Sequence, residues 1–152
     1  MQQKIRAVFA ALAISTIFSI PVLAEPTAED ALDYRKAVMT ALRGHIGASS
    51  MITRGLVEDG GHLVGHAEGL ASGAKELHRV FQEGSNVGES EALPAIWQQP
   101  EEFAAAIAKT EEATAAFVAA AKSGDREAIG AAFRNVGMSC RGCHDNYRVA
   151  HE

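Results

Sequence analysis

Apolar residues recur at alternating spacings of three and four along four stretches of the chain. Such spacing gathers side chains on one face of a helix, whereas a half-exposed strand alternates every second residue. The first stretch, residues 28–56, aligns Leu32, Arg35, Met39, Leu42 and Ile46. The second, 61–82, aligns Leu63, Ala67, Leu70, Ala74, Leu77 and Phe81. The third follows Pro100, a favourable first-turn residue, and aligns Phe103, Ile107, Thr110, Thr114, Phe117 and Ala121. The fourth, 126–149, aligns Ile129, Phe133, Val136, Cys140, Cys143 and Tyr147.

This 4-3 rhythm is the seam of a left-handed bundle. Thr27 with Asp30 forms a capping-box pattern before the first helix, and Gly124 followed by Asp125 stops one helix and caps the next. Short breaks at 57–60 and 122–125 make neighbouring helices antiparallel, and the longer Gly84–Gln99 link joins the two hairpins. The pattern predicts an all-α, antiparallel four-helix bundle.

Residues 1–24 stand outside this pattern. Lys4 and Arg6 precede an apolar run from Ala7 to Ile20, which ends in Pro21-Val22-Leu23-Ala24 before the polar Glu25-Pro26-Thr27. A basic start, an apolar middle and small residues at a cut site describe a cleaved signal peptide rather than a membrane anchor. The expected domain is therefore 25–152, a soluble exported bundle of 128 residues. Loss of Lys4 and Arg6 takes the formal charge from −5 to −7, which disfavours nucleic acid and anionic lipid as partners. With 47% hydrophobic residues and two cysteines, the chain is neither disordered nor a disulfide scaffold.

Both cysteines lie in Cys140-Arg141-Gly142-Cys143-His144. C-x-x-C-H is the attachment pattern of a c-type haem. Two thiols bond one edge of the porphyrin while an imidazole reaches the iron, and positions i, i+3 and i+4 of a helix share the face this needs. These residues also fall on the core stripe, which puts the haem between helices. Gly137 and Gly142 leave room for a flat ring. A thioredoxin-like site would want a preceding strand, and a structural zinc site would want four ligands. A plain disulfide is open in an oxidising compartment, but the haem reading joins export to a motif that uses every cysteine.

The chain resembles the class II c-type cytochromes, the family of cytochrome c′. The resemblance rests on Ala28–Met39 (AEDALDYRKAVM), Pro94-Ala-Ile-Trp97 and Gly137–Arg148 (GMSCRGCHDNYR), and on a haem motif near the C-terminus. It implies a periplasmic four-helix bundle with one covalent haem, active in electron transfer or in binding nitric oxide and carbon monoxide. Carried onto this chain, Cys140 and Cys143 are the thioether sites and His144 the proximal ligand. Arg35 approaches a haem propionate, and Arg148 screens the proximal side. Arg35 is also the one charge in its apolar stripe, and a buried cation needs a partner.

The resemblance places Met39 at the distal position, where two readings compete. A ligating thioether would give a six-coordinate, low-spin iron suited to electron transfer with redox partner proteins. A Met that only packs would close an apolar pocket over a five-coordinate iron open to NO or CO. The run from Tyr34 to Met39, followed by Gly44-His45-Ile46-Gly47, leans towards the low-spin branch. An enzyme is the weakest reading, because no acid–base residue falls near the distal face and Ser50 and Thr53 are unremarkable.

His62 and His66 have i, i+4 metal-site spacing without a third ligand, His66 could alternatively reach a haem, and His45 reads as surface. Gly61, Gly65, Gly69 and Gly73 repeat every fourth residue on the side opposite Leu63 and Leu70, which suggests a homodimer contact. Mass analysis of the exported protein is expected to place its N-terminus at Glu25; a retained leader would overturn the cleavage reading.

Overall fold

The computed structural model describes residues 26–150, so the leader at 1–24 lies outside the described residues. Five helices follow one another: α1 (Ala28–Thr53), α2 (Leu63–Val80), the single turn α3 (Ala95–Gln98), α4 (Pro100–Ser123) and α5 (Arg126–Tyr147). The four long ones form the bundle. Among the described residues no helix is long and apolar enough to cross a membrane.

Local chemistry sets the ends. The Thr27 hydroxyl accepts from the Asp30 amide at 3.1 Å, and the Asp30 carboxylate accepts from the Thr27 amide at 2.8 Å. This reciprocal cap satisfies two otherwise orphaned donors. Asp125 accepts from the amides of Glu127 and Ala128 at the start of α5. Helices α1 and α2 are shorter than the apolar pattern suggests, because Gly55, Gly60 and Gly61 take positive φ and turn the chain between them. Helix α5 stops at Tyr147, where Arg148 becomes extended and bridges to Ala92 in the α2–α3 link. Leu93 N donates to Tyr147 O and Val149 N to Glu91 O, each at 2.9 Å.

Round the bundle the close neighbours are α1–α2, α2–α4 and α4–α5, while α1 and α5 make little contact. Burial follows the same division. Every stripe residue of α4 is buried, as are those of α2 from Leu63 to Leu77. On α1 and α5, Met39, Leu42, Ile46, Phe133, Cys140 and Cys143 are only half-buried. The core forms two clusters, one around Leu70, Phe117 and Val136 and one around Leu77, Phe103, Ile107 and Tyr147. Leu42 packs against both.

The glycine repeat is divided by the fold. A Cβ on Gly69 would overlap the His45 ring, and one on Gly73 would come within 2.6 Å of Leu42. These two glycines admit α1, because α2 packs between α1 and α4 and buries a wider arc than one partner would require. The side opposite the leucines therefore keeps only Gly61, in the turn, and the exposed Gly65. Gly65→Ala should raise the unfolding free energy of the holoprotein by about 0.5–1 kcal/mol by restricting the unfolded chain. Gly73→Ala should lower it by about 1–3 kcal/mol by displacing Leu42. Urea titrations of the two variants check both signs.

Candidate functional site

The haem motif lies in the last turns of α5. Cys140, Cys143 and His144 are half-buried on the side turned towards the core, and Arg141 and Gly142 are exposed. Helical spacing alone produces this division. The last turns are held by Asn146, which donates to Gly142 O at 2.7 Å, and by an Arg141–Asp145 pair at 3.4 Å. Gly137 and Gly142 are not pressed by the protein, since a Cβ on either would meet nothing within 4 Å.

Cys140 packs against the first core cluster and Cys143 against the second. Burial raises the pKa of both thiols, that of Cys143 to about 11, with the neighbouring Cys140 adding to the shift. His144 moves the other way: burial lowers its pKa, the charge of Arg148 adds to this, and Asp145 opposes it. At neutral pH the motif therefore presents two uncharged thiols and an imidazole with a free nitrogen lone pair, a donor set that suits covalent haem attachment and iron ligation.

Met39 of α1 packs against the same second cluster as Cys143 of α5. The cluster also holds a run of ring contacts. Phe81 meets Phe103 edge to face at 4.9 Å, and Phe103 meets Tyr147 likewise at 5.0 Å. The thioether, Cys143 and this run of aromatic rings thus share one cluster. A pocket of about 340 Å³ beside His78, Trp97 and Pro100 shares Phe81 and Phe103 but is lined by neither cysteine, nor by Met39 or His144.

Arg35 is buried one turn before Met39, and burial lowers its pKa. Its guanidinium donates to the Ser85 hydroxyl at 2.8 Å, to the Ser85 and Val80 carbonyls at 3.0 and 3.4 Å, and to the Ser90 hydroxyl at 3.0 Å. It also lies 5.2 Å over the Phe81 ring. The partners that sequence reasoning missed are these serines. Their signal was a Ser-containing link of the right length to return to α1. Trp97, the only tryptophan, donates to Phe81 O at 3.1 Å and anchors the same link. Arg148 is exposed, and His66 is taken up by His45 rather than by α5.

The sequence pattern of the family described as Cytochrome C′ matches residues 30–148. The chain belongs to the cytochrome c′ family. Its members are non-enzymatic haem proteins carrying one covalent haem c per chain. Cytochrome c′ of Rhodospirillum rubrum is 31% identical over 143 residues, covering 93% of this chain and 96% of the relative. Cytochrome c-554 of Cereibacter sphaeroides is 33% identical over 146 residues, covering 91% and 95%. Two solved structures of cytochrome c′ variants from Alcaligenes xylosoxidans superpose on this chain, each at 29% identity. The nitric oxide complex gives a TM-score of 0.75 over 81% of this chain and 97% of that one. The carbon monoxide complex gives 0.76 over 82% and 98%.

The bonds from Arg35 tie α1 to residues 80–90. Arg35→Met should therefore cost about 2–4 kcal/mol, since hydrogen bonds to a charged group contribute about 1.5–3 kcal/mol each and do not add fully. Arg35→Lys should recover only part of this, because an ammonium lacks the planar fork. Urea unfolding, with limited proteolysis of the 82–90 segment, reads both.

Proposed function

We propose that the chain is an exported, periplasmic electron carrier comprising residues 25–152, with its iron held by His144 on one face and Met39 on the other. The reading rests on one observation: Met39 and Cys143 pack against one cluster from helices that make little other contact. The haem, when bound, supplies one-electron chemistry at its iron.

The chain's own residues do the rest. Cys140 and Cys143 would hold the ring to α5 at two points, and His144 would present an uncharged imidazole from the same helix. Met39 offers an uncharged thioether, so the ligand set need not change with the charge of the iron. Phe81, Phe103 and Tyr147 exclude water from one side. Neutral oxygens satisfy the Arg35 donors without cancelling their charge, which leaves a cation suited to a propionate. Burial, with a smaller contribution from the Arg148 charge, holds the His144 pKa below its ordinary value and favours the neutral imidazole.

A second reading has Met39 packing without ligation, and the likeness to cytochromes c′ holding nitric oxide or carbon monoxide favours it. Optical spectra separate the two. For the carrier, reduced wild-type protein should resist carbon monoxide and the ferric form should show a methionine-to-iron charge-transfer band. Met39→Ala should abolish that band, admit carbon monoxide on mixing and lower the midpoint potential, because thioether ligation favours reduced iron. High-spin spectra already present in wild type, and unchanged in Met39→Ala, would overturn ligation and favour gas binding.

A further inference from the structure

The contact between α1 and α2 holds a second group of ligating side chains that the haem site does not use. His45 of α1 and His66 of α2, both half-buried, bring their Nδ1 atoms to 3.2 Å. The rings are tilted by 60° with centroids 5.5 Å apart. His45 is not the surface residue that helical phase suggested. Its ring lies over Gly69, at a place that any Cβ would occupy. One and two turns further along α1, Ser49 and Thr53 carry buried hydroxyl oxygens with no hydrogen-bond partner, and Ser49 is wholly buried.

A hydrogen bond between neutral imidazoles explains only part of this. It needs one ring to carry its proton on Nδ1 and the other to leave Nδ1 bare, and it leaves both hydroxyls unpaired. A shared metal ion explains more. Two imidazole nitrogens at about 2.0–2.1 Å from a tetrahedral ion stand about 3.3 Å apart, close to the separation found. An ion held there would carry water, and helical residues one turn apart are about 5 Å along the axis. A bound water can therefore give Ser49 the partner it lacks.

We propose that His45 and His66 chelate a divalent transition-metal ion of the zinc or copper class through their Nδ1 atoms, with water filling the other positions. The class follows from the ligands: imidazole suits zinc and copper, whereas calcium and magnesium want oxygen donors. Among the described residues no three His, Cys, Asp or Glu side chains converge on a metal position, so two nitrogens are the protein's share and the affinity is modest. The ion clips α1 to α2 two turns beyond Met39 and leaves the haem ligands alone.

The experiment is calorimetric titration of metal-stripped holoprotein with zinc chloride, which does not obscure the haem spectrum, followed by thermal melting. Wild type should bind one zinc ion per chain and melt at higher temperature with zinc than without. His45→Gln and His66→Gln should each weaken binding at least about tenfold, since loss of even an outer partner of a metal site costs about 10–100-fold. Both should lose the zinc-dependent rise in melting temperature, while His62→Gln should keep it. Anomalous scattering at the zinc edge from wild-type crystals grown with equimolar zinc provides a reading independent of the variants. A peak between the two rings is expected. No binding to wild type, binding undiminished in both variants, or a peak elsewhere would each overturn the site and leave the pair as a hydrogen bond only.

Discussion

Everything functional in this bundle depends on an unequal distribution of packing. Helices α2 and α4 bury their apolar stripes almost completely, with Leu70 and Phe117 among the largest fully buried side chains. Hydrophobic burial grows with the area removed from water, so this inner pair carries the stability. Helices α1 and α5 lean on it from either side and contact each other little. Along their stripes Met39 on one helix, and Cys140 and Cys143 on the other, are only half-buried. In the proposed arrangement, a flat apolar group bonded to α5 would meet both helices there without competing for the contacts that keep the bundle folded.

The link between α2 and α4 governs how those two helices sit. It is fastened to α1 by the Arg35 guanidinium and to α5 by backbone pairing at Glu91, Leu93, Tyr147 and Val149. Trp97 pins it to the end of α2. The segment thus spans the helix bearing Met39 and the helix bearing His144, and fixes their relative position at one end of the bundle. Arginine suits this position because its rigid fork meets several oxygens at once and its charge persists when buried. A loop that would otherwise be loose becomes part of the site's frame.

The α1–α2 contact solves a different problem. Gly69 and Gly73 let α1 come close, and the space so made is filled by His45 and Leu42. Glycine within a helix costs about 1 kcal/mol relative to alanine, and here the close approach offsets it. At Gly69 the approach also sets an imidazole beside His66, which places ligating nitrogens in a contact that leucine and alanine would have made apolar.

The haem motif, the helical stripes and the caps were legible in the sequence because each is local. Cys140, Cys143 and His144 share a face by helical geometry, and the Thr27–Asp30 cap needs only residues three apart. The membership of the core on α2 and α4 followed from periodicity alone. Contacts between elements could not be read this way. Ser85 and Ser90 as partners of Arg35, the pairing of His45 with His66, and the inward turn of Gly69 and Gly73 each join residues far apart in the chain. Helical phase tells which way a side chain points from its own axis; only the packing of the bundle decides which neighbour stands there. That is why a buried arginine announced the need for partners from sequence, and only the tertiary structure supplied their names.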